Sequence, residues 1–490
     1  MAVLKTVPFP HQAAELALSG SRSGWGFFWE MGTGKTLEAI MQFSRLHDAG
    51  EINGLLVLAP NGVHRNWVTD ELPEHFASAN EYAVHLWMTS KAETKRHAEA
   101  AELLLKAPAG ALAILCMSYD AIMTEKGRSF AKRFLTKRRC GYVLDESHRI
   151  KTPGVQRTKR VLASAAHSAY RRILTGTLVA DKPFDVYSQL RFLDIAAWHQ
   201  IGCASYEAFK ATFGVWEKGY TTAGGTTREY PKLVAYRNME LLRQVVAAHG
   251  TSLTKESAGI KLPPKLYSKR YFELTSAQRR AYEQLKEQCF AEIGGDICSA
   301  DLAIVEILRL QQVTSGYLPT DDGEEGPAGL VALCDPNPRV RLLVETVEDA
   351  AHQVIVWAKF RQDVSNILAA LEAEGISAVR YDGQCSEDEL AEAKATFKAG
   401  GAQVFVSNPA KGREGLTMNN AKTMVYFNNS HKLEHRRQSE ERNHRIGQCD
   451  SVSVVDIAAV DTIDSLIIDS LRAKREIADY VQGTEKKEWI

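Results

Sequence analysis

Two short stretches carry the side chains with the most chemical promise. The first reads Gly26-Phe27-Phe28-Trp29-Glu30-Met31-Gly32-Thr33-Gly34-Lys35-Thr36. An apolar, strand-like segment leads into a glycine-rich turn, and a helical pattern, Leu37–Leu46, follows. Glycines at 32 and 34 let backbone N–H groups converge on phosphate oxygens, and the helix N-terminus adds partial positive charge. Lys35 can reach the β- and γ-phosphates of a nucleoside triphosphate, and the Thr36 hydroxyl can ligate Mg2+. Gly32, Thr33, Gly34, Lys35 and Thr36 are therefore the expected binders of ATP. The full phosphate-loop pattern has glycine at its first position, where this chain has Trp29.

The second stretch is Tyr142-Val143-Leu144-Asp145-Glu146-Ser147-His148. Asp145 closes an apolar run and can hold Mg2+, directly or through water. Glu146 can orient and deprotonate an attacking water. His148 is placed to sense the nucleotide state. Far along the chain, Arg442 and Arg445 lie three apart, a spacing that predicts one face of a helix. Arginines near a γ-phosphate stabilise the charge that builds there during phosphoryl transfer.

Positioning these groups requires parallel sheets. Short apolar runs alternate with amphipathic helical patterns, the signature of α/β architecture. Strands are expected at Leu55–Ala59, Ala111–Met117, Tyr142–Leu144 and Arg172–Leu174, then at Gln353–Ala358, Ala378–Tyr381, Gln403–Ser407, Thr423–Phe427 and Ser451–Ile457. Several end in polar residues: Asn61 follows one, Asp145 and Glu146 another, Thr175 and Thr177 a third. Open α/β sheets bind ligands at these carboxyl ends. Residues 183–250 read as helical apart from the polar stretch Gly219–Tyr230, a hairpin or a mobile loop. Thr275–Gly316 reads as two helices and Thr320–Gly329 as an acidic linker.

The chain has 490 residues, with 60 Lys+Arg against 60 Asp+Glu. Zero net charge excludes a strongly basic nucleic-acid coat but leaves room for a basic groove. Hydrophobic content of 45% and charged content of 24% exclude a disordered or collagenous chain. The 8 cysteines include no C-x-x-C pair, so zinc ribbons are not expected, and free thiols in a reducing cytoplasm are. Neither a signal peptide nor a membrane span is expected.

Together with Gly32–Thr36, the segment Asp145-Glu-Ser-His-Arg-Ile-Lys151 resembles the D-E-A-H-R-[IL]-K box of Swi/Snf-type ATPases, a branch of superfamily-two helicases and translocases. Leu174-Thr-Gly-Thr177 resembles their motif III, and Lys255 through Leu262-Pro263-Pro264-Lys265 their K…LPPK segment. Leu308-Arg309-Leu310-Gln311-Gln312 resembles their LRLRQ helix, and Thr462-Ile463-Asp464 their TID segment. Gln438-Ser-Glu-Glu-Arg442-Asn-His-Arg445-Ile-Gly-Gln448 closely resembles their motif VI. The likeness runs from about Phe9 to Lys474. Two departures stand out: Leu178 replaces the usual Pro after Thr177, and the motif V region, Ser407 to Thr417, is looser, like that of compact bacterial and bacteriophage members.

The resemblance implies two RecA-like parallel-sheet lobes of the P-loop NTPase kind with helical insertions. The implied boundaries are 1–182 for an ATP-binding lobe, 183–260 for a helical insertion, 261–335 for a helical protrusion and linker, and 336–490 for a second RecA-like lobe. It implies that Gln12 reads adenine, that Gly415 and Gln448 lie at the nucleotide, and that Thr175 and Thr177 couple the lobes. Arg445 becomes the arginine finger and Arg442 its γ-phosphate partner. ATP would then favour a closed state in which both lobes contact it.

Polar residues at strand ends facing away from ATP are the expected nucleic-acid contacts: Asn61, His64, Arg65, Ser118, Arg149 and Lys151 in the first lobe, and Lys359, Arg361, Lys411 and Arg413 in the second. Lys and Arg neutralise phosphates without reading sequence. Trp67 is expected in the core, and the run from Lys132 to Arg139 on a solvated face. The implied activity is that of an ATP-dependent, sequence-independent, monomeric motor on double-stranded DNA, cytoplasmic, or in the host cytoplasm if phage-encoded. The rivals are a strand-separating helicase with Gly219–Tyr230 as its wedge, a DNA-clamping ATP switch, and an RNA-dependent ATPase.

Overall fold

Apolar runs such as Gly54–Ala59 and Leu112–Ser118 are buried at every position. Strands of this kind need cover on both faces, which parallel sheets flanked by helices provide. The computed structural model describes residues 5–76, 82–108, 110–223, 226–295, 300–319, 329–409 and 418–484. They fall into two compact units, one built on the described residues up to 215 with 235–261 and 476–484, the other on 216–234 and 262–475.

The first unit carries β1 (Gly24–Trp29), β2 (Gly54–Ala59), β3 (Tyr82–Leu86), β4 (Leu112–Ser118), β5 (Cys140–Asp145) and β6 (Tyr170–Leu174). After the ribbon strands β7 (Gly214–Ala223) and β8 (Thr226–Tyr236) comes β9 (Gly250–Leu253). Seven of these form one sheet in the order β3-β4-β2-β5-β6-β1-β9, all pairs parallel. The order sets the carboxyl ends of β5, β6, β1 and β9 side by side. Phe27, Trp29, Val57, Ile114, Val143 and Leu174 share a core with Ile40 and Phe43 of the helix Lys35–Asp48.

The ribbon settles the choice left open for Gly219–Tyr230. It is a hairpin, and longer than expected, spanning Gly214–Tyr236. At Gly219 the Tyr230 ring lies close against the backbone, 2.7 Å from where a Cβ would stand. The rest of 183–250 contains the expected helices, Val186–Leu193, Tyr206–Phe213 and Met239–Ala248.

The second unit carries β10 (Lys265–Phe272), β11 (Tyr317–Pro319), β12 (Leu330–Ala332), β13 (Val354–Trp357), β14 (Ala378–Tyr381), β15 (Val404–Ser407), β16 (Thr423–Tyr426) and β17 (Val452–Ala459). Six of these form a parallel sheet ordered β10-β17-β16-β13-β15-β14, while β11 and β12 pair antiparallel. The helices Ser276–Gly295 and Ala300–Thr314 match the expected pair. Residues 320–328 of the expected linker lie outside the described residues. Among the described residues no helix is long and apolar enough to cross a membrane.

At the edge of the first sheet, His85 of β3 packs 4.6 Å from the His97 ring, beside Trp87 and Phe130. Nε2 of both histidines and Nε1 of Trp87 are buried without a hydrogen-bond partner among the described residues. Burial, then His97, pushes the His85 imidazole down to about 4; burial, then Lys91, lowers His97 as well. A depressed histidine folds neutral, so its stabilisation is full above pH 6.5 and is lost as pH falls toward 4. Screening included, His85 should cost about 2 kcal/mol of stability across that window. Urea midpoints at pH 7 and pH 4.5 should show the loss, and His85→Phe should flatten it. An unchanged slope in the variant would assign the effect elsewhere.

Candidate nucleotide site

The loop after β1 is shaped by its glycines. Gly32 and Gly34 sit at φ 79° and 83°, a left-handed conformation that glycine adopts without strain. The helix Lys35–Asp48 begins at once, so its free N–H groups face the loop. Thr33 donates its hydroxyl to the Glu30 carbonyl at 2.8 Å. Lys35 Nζ donates to the carbonyls of Trp29 and Glu30 at 2.9 and 3.0 Å. Trp29 stands at the irregular first position because the chain is still in strand there. Its indole is 1% exposed and donates to Thr251 of β9 at 3.0 Å.

Gln12 does not present a free amide edge. The side chain is fully buried; its Oε1 accepts from the Phe9 N–H at 2.8 Å and its Nε2 donates to the Gly34 carbonyl at 2.9 Å. His11 Nε2 lies 3.0 Å from the Thr33 carbonyl. The helix Pro10–Ser19 thus clamps the loop from behind. A Cβ at 34 would come within 2.5 Å of the Gln12 amide, a second reason for glycine there.

Asp145 ends β5 and is buried. Trp67 is a core residue as expected, and its indole N–H also donates to Asp145 Oδ2 at 2.9 Å. The Tyr119 hydroxyl donates to the Asp145 carbonyl at 2.9 Å. Burial, reinforced by the neighbouring Glu146 carboxylate, pushes Asp145 up to about 7, while Trp67 and Lys35 pull the other way. A carboxyl so placed gains from a cation beside it.

Glu146 takes a left-handed backbone, φ 54°, rare for a residue with a side chain. Its N–H donates to Leu174 of β6 at 2.8 Å, which holds the strained turn in place. Beyond it, His148 Nδ1 lies 3.3 Å from Glu146 Oε2 and 3.3 Å from Thr177 Oγ1. The Thr177 N–H donates to Thr175 Oγ1 at 3.0 Å. Glu146, His148, Thr177 and Thr175 therefore form one contiguous polar path from the acid to the end of β6. Leu178, the departure from proline, is fully buried, and its carbonyl accepts from Gln189 at 2.8 Å.

In the second unit the arginines are not on a helix face. The helix Leu433–Glu440 stops short of them, and Arg442 and Arg445 lie, half-buried, in the turns that follow. The stop has a cause. Asn443 donates to the carbonyls of Met418 and Ala421 at 3.3 and 2.7 Å, and His444 Nε2 lies 2.7 Å from the Pro263 carbonyl. The preceding helix is anchored by Arg436, which pairs with Asp456 at 2.5 Å and Glu440 at 2.8 Å and stacks over Tyr426. Burial would raise the Glu440 carboxyl, but Lys265 and Arg436 outweigh it and hold the group well below the usual carboxylate range. Gln448 is buried, and its Nε2 donates to the Asn419 and Ala421 carbonyls at 3.1 and 3.2 Å. Gly415 lies outside the described residues.

The expected nucleic-acid contacts divide. Arg65 and Arg361 are exposed, Arg149 is half-buried, and Asn61 is exposed with its amide on Asp120 at 2.8 Å. His64 and Ser118 are buried, 7% and 4% exposed, which removes them as surface contacts. Lys151 is ion-paired with Asp181. Lys359 donates to Gln311 at 2.5 Å, and burial pushes its ammonium down to about 8. Lys411 and Arg413 lie outside the described residues. In the basic run Lys132–Arg139, Arg138 is also a correction: it is buried and donates to the carbonyls of Asn53 and Ala107 at 3.0 and 2.9 Å.

The family model of the SNF2-related domain matches residues 21–315, and that of the helicase conserved C-terminal domain matches 338–447. The chain is 23% identical to the chromodomain-helicase-DNA-binding protein 1-like of Danio rerio, over 92% of its own length and 41% of that protein's. It is 23% identical to the ISWI chromatin-remodeling complex ATPase CHR17 of Arabidopsis thaliana, over 92% and 39%. With the transcription regulatory protein SNF2 of Saccharomyces cerevisiae the figures are 22%, 91% and 26%. The chain thus spans well under half of these relatives. A solved SWI2/SNF2 ATPase core from Sulfolobus solfataricus, in complex with dsDNA, is 21% identical, covers 98% of this chain and 94% of its own, and superposes with a TM-score of 0.42. With a phosphate loop, an acid pair and a motif VI on two parallel-sheet units, and with more than half its length matched by one model, the chain belongs to the SNF2-related family of superfamily-two, RecA-like proteins.

Proposed function

We propose that this chain is a nucleic-acid-dependent ATPase that works as a sequence-independent motor on double-stranded DNA, remodelling DNA structures or protein–DNA complexes. The observation that carries the reading is the polar path Glu146–His148–Thr177–Thr175 leading out of the phosphate site. A hydrolase that only split ATP would not need one. The names of the relatives, DNA-binding and chromatin-remodeling ATPases, support duplex DNA as the track.

The loop fits a nucleoside triphosphate: two left-handed glycines, a helix N-terminus and an ammonium converge where a Cβ would intrude. Thr36 and Asp145 are the residues that would hold Mg2+, which would neutralise charge on the outer phosphates. In this reading Glu146 would take the proton of the attacking water and Lys35 would bind the phosphates, while Arg442 and Arg445 of the second unit are the cations assigned to the developing charge. The free thiols of Cys116, Cys140, Cys203, Cys334, Cys385 and Cys449 suit a reducing compartment such as the cytoplasm.

A second reading, strand separation, is favoured by the β7–β8 ribbon, on which Tyr220 and Tyr230 are 64% and 40% exposed. ATPase rates with duplex DNA, single strands and RNA test the track; duplex DNA should stimulate most. Displacement of a triplex-forming strand without release of an annealed oligonucleotide is the expected outcome for a duplex motor. Equal rates with and without any nucleic acid would sink the proposal.

A further inference from the structure

Asp145 is held by more than its strand. β5 pairs with β2 on one side and β6 on the other, and the Tyr119 hydroxyl donates to the Asp145 carbonyl, so the main chain there is fixed. The side chain has an anchor of its own, the Trp67 indole N–H on Oδ2 at 2.9 Å. Both partners are buried. A buried indole needs an acceptor, which a neutral carbonyl could supply. A carboxylate acceptor makes the bond charge-assisted and stronger.

The backbone is built to aim this indole. Beyond β2, residues 63–75 form one helical run, Val63–Asn66, Trp67–Glu71 and Leu72–His75, whose middle part is π-helical. The Leu72 N–H donates to the Trp67 carbonyl, five residues back. In a regular α-helix, positions five apart point about 140° apart. The wider turn brings Trp67 and Leu72 into the same core, with Val57 and Phe76. Such turns are rare and are frequent at functional sites. Around Asp145, the Glu146 and Glu71 carboxylates add negative charge, so an unheld side chain would turn away from them.

We propose that Trp67 is a positioning residue for the Mg2+ carboxylate: by engaging Oδ2 it fixes the Asp145 side chain and leaves the other oxygen to take the cation. The inference rests on the ATP reading above and deepens it by one residue beyond the metal's own ligands. Trp67 touches neither nucleotide nor water in this role and acts through Asp145 alone. Groups that hold a metal ligand in place are worth about 10–100-fold in metal affinity.

Binding of fluorescent ATPγS, measured with Mg2+ and in EDTA, tests this in Trp67→Phe. A second chain carries at 67 a tryptophan analogue with sulphur in place of the indole N–H, which keeps the bicyclic packing. In both, affinity in EDTA should stay within about twofold of the unmodified chain, while the gain that Mg2+ brings falls about tenfold. The Mg2+ concentration for half-maximal turnover should rise by the same factor, and saturating Mg2+ should restore kcat. In an Asp145→Asn background, loss of the indole N–H should take nothing more from the Mg2+-dependent gain, and a fully additive loss there overturns the proposal. A merely structural indole would lower the melting temperature and weaken nucleotide equally with and without Mg2+. That outcome overturns the proposal, as does an unchanged Mg2+ gain in the sulphur analogue. Absence of Mg2+-dependent nucleotide binding in the unmodified chain would refute the ATP reading, and this inference with it.

Discussion

Lys35→Ala should lower ATP turnover by at least about 10³-fold in a phosphate-release assay with duplex DNA present. Two losses combine. The ammonium proposed to reach the β- and γ-phosphates disappears, and the desolvated Asp145 loses a cation that favours its ionised form. A third effect needs a control. Lys35 also donates to the Trp29 and Glu30 carbonyls, so its removal loosens the loop. Those are two partly buried bonds at the rim of a large core, worth about 1 kcal/mol each, and the unit should stay folded. A melting temperature within a few degrees of wild type, with turnover abolished, separates chemistry from folding. Near-normal turnover in a folded variant would refute the assignment of this loop.

The parts of the molecule that could be read in advance were those whose physics is local. Continuous apolar runs announced β2, β4, β5 and β13 to within a residue or two at most ends, since a strand covered on both faces has no other composition open to it. Of the four edge strands, β14 was read at its observed bounds while β3, β9 and β10 escaped. β3 reads YAVHL and is half-exposed along most of its length, and β9 is only GTSL after a helix, too short to show a period. Missing β9 hid the contact of Lys255 with Glu30, since nothing in the spacing of 30 and 255 brings them together.

Side-chain surroundings were hard to read for a related reason. A motif names a residue type, but burial decides what its polar atoms meet. Gln12 and Gln448 are spent on backbone carbonyls, and His64 lies under its own turn, bonded to the Pro60 carbonyl at 3.3 Å. The three-residue spacing of Arg442 and Arg445 suggested a helix, yet Asn443 between them ends it by capturing two carbonyls from 418–421. That contact is long-range, and propensity has no access to it.

Arg445→Ala should separate binding from chemistry. The proposed phosphate cradle, Gly32 to Thr36 with Asp145 and Glu146, lies wholly within the first unit, so ATP affinity should change by no more than a few-fold. Turnover should fall by about 10³–10⁵-fold, the range over which an arginine finger acts in other nucleotide hydrolases. The variant is also a clean one. Arg436 and Asn443 are buried hubs whose loss would leave unpaired charges or carbonyls inside the fold. Arg445 is half-buried in a turn held by main-chain bonds, its N–H on Asn443 and its carbonyl accepting from Gln448. Its side chain can be cut away without touching those main-chain bonds, and a melting curve of the variant checks that the unit stays folded. Single-turnover hydrolysis with saturating ATP reads the chemical step directly. If that step runs at the wild-type rate, the charge on the γ-phosphate is neutralised by another group, and Arg442, three residues earlier in the same turn, is the next to remove.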